Sequence, residues 1–147
     1  MSKDKAEYLT KFTKLHEVDV LVLQETHTAS EEQLLARGSI DGFYLVDFLL
    51  SAVHGSATYV KETILNFQKV FAKIVQDIYV VVVKVSGISI CNIYKPPNVL
   101  WPHDFDVILP HPAIYVGDFN SNHVMWQYDN NDVSGISLCE WMEQNNF

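Results

Sequence analysis

From Pro96 to Phe147 the chain contains no lysine or arginine. Duplex binding draws much of its affinity from such cations set against phosphates, so this stretch offers no basic patch. Over the whole chain the net charge is −8, with 10 Lys and Arg against 18 Asp and Glu. Tight nucleic-acid binding by the chain alone is not expected. No apolar run approaches the length needed to cross a bilayer, which predicts no membrane partner. Met1-Ser2-Lys3-Asp4-Lys5 leads into an amphipathic segment and not into an apolar signal core. The expectation is a soluble intracellular protein of the nucleus or cytoplasm. Cysteines are scarce too: Cys91 and Cys139 fit no zinc spacing and read as reduced structural thiols. Repeats, low-complexity tracts and linkers are absent, so the 147 residues read as one domain.

What is present is apolar sequence in short runs. Hydrophobic residues make up 48% of the chain and charged ones 19%, a pattern that suits buried strands of an α/β protein better than a helical bundle. Tyr8, Leu9, Phe12 and Leu15 share a helical face, predicting an amphipathic helix over roughly residues 4–16. Strands are expected at 18–23, 43–48, 56–60, 78–85, 88–94 and 113–116, with 78–85 and 88–94 forming an antiparallel hairpin about Gly87. Ile64 to Val75 is ambiguous between helix and strand: Ile64, Phe67, Phe71, Ile74 and Val75 fit a helical period, yet β-branched and aromatic residues are common in it. Pro96-Pro97 stops the strand before it, and a final helix is expected from about Ser134, with Ser134 as its N-cap. Strands interleaved with helices point to a mixed α/β sandwich.

Three polar clusters follow apolar strands. In Val20-Leu21-Val22-Leu23-Gln24-Glu25-Thr26-His27, Glu25 stands at a strand end, where a carboxylate is held rigidly and can ligate a hard cation such as Mg²⁺. A solvated strand-end glutamate is the plainer alternative. In Asn92-Ile93-Tyr94-Lys95-Pro96-Pro97-Asn98, Tyr94 could donate its hydroxyl to a phosphate oxygen, or serve only as a half-buried sheet aromatic. In Gly117-Asp118-Phe119-Asn120, the i, i+2 spacing puts a carboxylate and an amide on one face of an extended segment. The carboxylate can deprotonate water and the amide can donate to a phosphate. An Asx-rich turn, with both side chains bonded to their own backbone, fits the same spacing. His123 and Trp126 read as a packing pair, and His16, His54, His103 and His111 show no ligand spacing.

The order of these clusters, with Gly55-Ser56-Ala57-Thr58-Tyr59-Val60 between the first two, resembles the endonuclease domain of non-LTR (LINE-type) retrotransposons in the endonuclease/exonuclease/phosphatase superfamily. The Lys95-Pro96-Pro97-Asn98 and His123-x-x-Trp126 details resemble arthropod endonuclease–reverse transcriptases. The resemblance implies a DNase I-like four-layer fold, two facing β-sheets covered by helices. It implies Mg²⁺-dependent nicking of DNA, with a reverse transcriptase domain in a complete relative. It assigns Glu25 to the metal, Tyr94 and Asn120 to the phosphate, and Asp118 to the attacking water.

The resemblance also implies a first strand bearing a metal-binding asparagine and a closing Ser-Asp-His motif, neither of which has a counterpart in residues 1–147. The expectation is therefore an incomplete sandwich, truncated at both ends, that is inactive or nearly so. Two other functions stay open: a phosphoesterase of the same superfamily acting on phosphoinositide or sphingomyelin head groups, and a non-catalytic remnant serving as a binding module.

Overall fold

The computed structural model describes residues 1–147 as two β-sheets, packed face to face, with helices outside. The first sheet is antiparallel in the order β1–β3–β2, from β1 (Val20–Gln24), β2 (Phe43–Leu49) and β3 (Ser56–Lys61). The second runs β4–β5–β6–β7, from β4 (Phe67–Val75), β5 (Ile78–Val85), β6 (Ile88–Tyr94) and β7 (Ala113–Asp118). Only β6 and β7 are parallel. Their connection, residues 95–112, crosses the outer face of the second sheet and buries Trp101, Phe105 and Val107 there.

Three apolar clusters fill the layers. Val46 and Val60 of one sheet meet Val83, Val85 and Ile90 of the other, which makes the inter-sheet core. Ile78, Val80, Val82, Cys91 and Ile93 point the opposite way, against the crossing segment and Leu138 and Trp141 of α3 (Val133–Gln144). Leu34 of α2 (Glu31–Arg37) packs with Ala57 and Tyr59 on the outer face of the first sheet, with Leu9 of α1 (Lys3–Leu15) beside it. The fold is the expected four-layer α/β arrangement.

The structure resolves one open reading and corrects two expectations. Ile64 to Val75, ambiguous in the sequence, holds strand β4 and no helix. A bulge between Lys69 and Phe71 turns the strand over, so Phe67 packs between the sheets while Phe71 and Val75 pack on the outer face. That reversal spaces the aromatics like a helix within an extended strand. The N-cap of α3 is Asp132, whose carboxylate accepts from the Gly135 amide, and Ser134 is buried, bonded to the Trp101 amide and the Ser121 hydroxyl. On α1 the stripe Tyr8, Phe12 and Leu15 is exposed, and the helix docks instead through Ala6, Leu9 and Thr13. No helix is long and apolar enough to cross a membrane.

Burial of weakly acidic groups in these layers makes the fold sensitive to alkali. Desolvation raises the Cys91 thiol from 9.0 to about 12 and the Tyr59 phenol from 10.0 to about 12. Both pKa values are higher in the folded state, so their contribution is present in full below pH 9 and is lost as pH rises toward 12. Each pH unit between an unfolded and a folded value is worth about 1.4 kcal/mol. The urea midpoint is expected to hold from pH 7 to 9 and then fall steeply by pH 11, with a shallower fall in Cys91→Ala. A midpoint flat to pH 11 would contradict this.

Candidate active site

Alternation along three strands builds the site. Val20 and Val22 face the inter-sheet core on β1, as do Ile90 on β6 and Val116 on β7. Period-2 geometry then carries Gln24, Asn92, Tyr94 and Asp118 onto the same facing surfaces at the strand ends. Asn92, fully buried, ties them together. Its Oδ1 accepts from Gln24 Nε2 at 2.6 Å, and its Nδ2 donates to Leu23 O, Ala57 O and Thr58 Oγ1. One side chain of β6 thus fixes the end of β1 against it.

Glu25 follows directly. Its backbone leaves the strand at φ +53°, a left-handed conformation that costs a non-glycine residue about 1 kcal/mol or more. Tyr94 Oη donates to Glu25 Oε1 at 2.7 Å and lies 3.3 Å from His54 Nδ1. The Tyr94 side chain is buried, more deeply than a half-buried sheet aromatic. Burial, then the Glu25 carboxylate that takes its hydrogen bond, then the nearby Asp118 charge push its phenol well above the ordinary tyrosine range. It therefore remains protonated, and remains a donor, at any physiological pH.

Asp118 is the strand neighbour of Tyr94 across the parallel β6–β7 pair. Gly117 makes this possible: a Cβ there would stand 1.8 Å from the Ile93 carbonyl oxygen. Beyond the strand, the Asn120 amide N–H donates to Asp118 Oδ1 at 3.2 Å, so the Asx turn does form, with Asn120 at φ +41°. Asn120 Nδ2 donates to Lys95 O at 2.9 Å, and the Lys95 amide donates to Asp118 O. The Lys95 ammonium is turned inward onto Pro96 O and Val99 O, and burial pulls its pKa down. Contacts thus run from Glu25 through Tyr94 to Asp118 and Asn120. Asp118 and Asn120 also line an apolar cleft of about 460 Å³ between β7 and α3.

Sequence patterning passed over two members of this cluster. His54 has no ligand spacing, and it reaches Tyr94 because Gln24 pairs with Ser56, which brings the residues before β3 beside those after β1. Asn92 carried a readable signal, a lone amide within an apolar strand, which must find partners when buried. His123 and Trp126 do pack, ring centroids 4.9 Å apart, and His123 Nδ1 caps the short 3₁₀ turn Val124–Trp126 by accepting from the Met125 amide. Cys91 and Cys139 are free thiols, and His16, His103 and His111 lie outside the cluster of bonds around Tyr94.

The sequence profile of the endonuclease/exonuclease/phosphatase family matches residues 2–138. The chain belongs to this family. The probable RNA-directed DNA polymerase from transposon X-element of Drosophila melanogaster is 29% identical over 135 residues, which are 87% of this chain and 15% of the relative. The chain thus spans about 15% of that relative's length. A crystal structure of humanized D. rerio TDP2 carrying 14 mutations is similar over 61% of this chain and 41% of its own, at 18% identity and a TM-score of 0.40.

Within this family member, the strand-end cluster combines two carboxylates, a phenol held protonated, an amide and an imidazole. No group of three His, Cys, Asp or Glu side chains stands close enough to enclose a metal. Glu25 is exposed and its Oε2 takes no hydrogen bond, which leaves one carboxylate oxygen open to a cation.

Proposed function

We propose that this chain is the endonuclease domain of a non-LTR retrotransposon, hydrolysing a DNA phosphodiester with Mg²⁺. The observation that carries the reading is the Tyr94 hydroxyl, bonded to Glu25, with Asp118 as the register partner of Tyr94 on the next strand. A buried phenol kept protonated at a carboxylate is suited to donating to an anionic oxygen. The similarity to a transposon RNA-directed DNA polymerase supports the retroelement reading over lipid head groups.

The roles follow from free valences. Glu25 would hold the Mg²⁺, which supplies Lewis-acid polarisation of the phosphoryl oxygen. Asp118 keeps Oδ2 free of the Asx turn and accepts the proton of the attacking water. Asn120 uses one of its two amide hydrogens on Lys95 O and directs the other to a non-bridging oxygen. Tyr94 turns its hydrogen from Glu25 to the phosphate as substrate arrives. Lys95 fixes the turn behind them. No exposed lysine or arginine belongs to this cluster, and the two carboxylates repel DNA, so residues 1–147 alone nick slowly and bind DNA weakly.

Supercoiled plasmid tests this. With Mg²⁺, residues 1–147 should yield open circles only slowly. The same residues joined to the first strand and Ser-Asp-His end of a complete relative should be faster by about 10²-fold or more, the usual worth of one added electrostatic contact. EDTA should stop both. A well-folded graft that leaves the plasmid supercoiled would overturn the proposal.

A further inference from the structure

Next to the Tyr94 cluster, and sharing His54 with it, is a cleft of about 250 Å³ whose lining includes Asp77, Tyr79, Pro96 and Asn98. Its volume falls below the roughly 300 Å³ at which drug-sized sites begin. It has room for one planar ring system and excludes a duplex. Its aromatic wall is continuous with the cluster already described: the His54 ring lies 5.3 Å from that of Tyr94 and 5.5 Å from that of Tyr79, and Tyr79 lies 6.0 Å from Tyr94. All three pairs are tilted or edge-on, so none uses up a ring face by parallel stacking.

The lining beside these rings is polar and rigid. Gln76 and Asp77 form a two-residue turn between β4 and β5, both at positive φ, +48° and +65°. Such a turn follows the twist of its hairpin and holds its residues in fixed positions. Gln76 Nε2 anchors it to Asp104 Oδ1 at 2.9 Å. Asp77 therefore presents an acceptor-only carboxylate to the cleft, with no salt bridge to neutralise it. A phosphate is repelled there. A nucleobase is not: its face suits Tyr79 and His54, and an exocyclic amino group donates to a carboxylate as cytosine N4 does.

We propose that this cleft is a nucleobase subsite, receiving the base of the nucleotide beside the reacting phosphate and favouring bases that carry an exocyclic amino group. The inference rests on the phosphodiesterase reading of the Glu25–Tyr94–Asp118 cluster for which phosphate is meant. It assigns functions to His54, Tyr79 and Asp77 that the hydrolysis itself does not require. Tyr79 is the stacking platform, Asp77 selects the amino group, and His54 joins the base to the phosphate side through Tyr94.

The test uses residues 1–147 and NMR signals of the His54 and Tyr79 rings, titrated with deoxynucleoside 5′-monophosphates. Both rings should shift with dCMP, dAMP and dGMP, and several-fold higher concentrations of dTMP or deoxyribose 5-phosphate should be needed for the same shift. Tyr79→Leu should weaken dCMP about tenfold, the effect of removing one stacking platform, and Tyr79→Phe should restore it. Asp77→Asn, a change at an exposed turn, should bring dTMP level with dCMP. Equal shifts with deoxyribose 5-phosphate, or movement confined to Glu25 and Asp118, would overturn the subsite. Base-selective shifts in a protein whose graft never nicks would uphold the subsite and overturn the hydrolase reading.

Discussion

Gly117→Ala is expected to cost on the order of 4 kcal/mol, the upper range for a single substitution. A methyl group at this position would lie 1.8 Å from Ile93 O and 2.8 Å from Ile93 C, and Gly117 holds φ +152°. The obstacle is backbone of the neighbouring strand, so no side chain can rotate away. Ile93 and Gly117 are register partners in the only parallel pair of the sheet, and relief requires β6 and β7 to part. Such a loss is comparable to the whole stability of a small domain, about 5–15 kcal/mol. The control is Gly87→Ala, at φ +89° with nothing within 4 Å of the added carbon, which should cost about 1 kcal/mol from conformation alone. Urea midpoints of the two variants decide it, and equal midpoints would refute the argument. Because Asp118 follows Gly117, whatever Gly117→Ala protein remains folded should also lose the alignment of Asp118 with Tyr94.

The strands were legible where one rule governed them. Ile78–Val85 and Ile88–Tyr94 are mostly apolar runs about Gly87, and they pair as the expected antiparallel hairpin. The sequence misleads where a second rule intervenes. In β4 the bulge reverses the face of the strand, so Phe67, Phe71 and Val75 imitate a helical period. In α1 the longest apolar stripe is exposed, because Ala6 and Thr13 are small enough to let the helix lie close on the sheet. Helix α2 escaped notice at seven residues, although Ser30-Glu31-Glu32-Gln33 has the spelling of a capping box and Ser30 does accept from the Gln33 amide. The site shows the same division. Glu25, Tyr94, Asp118 and Asn120 were recognisable because each closes or follows a strand. His54 was not, since its neighbourhood depends on β1–β3 pairing, which no local pattern encodes.

Asp118→Asn should lower plasmid nicking by the grafted protein by about 10²–10⁴-fold, the usual contribution of a positioned general base. The substitution is nearly isosteric, and a carbonyl oxygen can still accept the Asn120 amide hydrogen that Oδ1 now takes, so the Asx turn and the urea midpoint should persist. What disappears is the free carboxylate oxygen. Its negative charge also helps hold the Tyr94 phenol protonated, but burial and Glu25 contribute more, so Tyr94 remains a donor in the variant. His123→Ala is the opposite case. Its ring packs on Trp126 and its Nδ1 accepts from the Met125 amide, with no bond to Tyr94, Glu25 or Asp118. Loss of such a cap costs about 1 kcal/mol, while nicking should stay within a few-fold of the parent. Reversal of the pattern, with His123→Ala inactive and Asp118→Asn active, would remove Asp118 from the chemistry and make the Asx turn its whole purpose. Nicking that survives in both variants would mean that the water is activated elsewhere in the cluster, with Glu25 as the remaining carboxylate to replace.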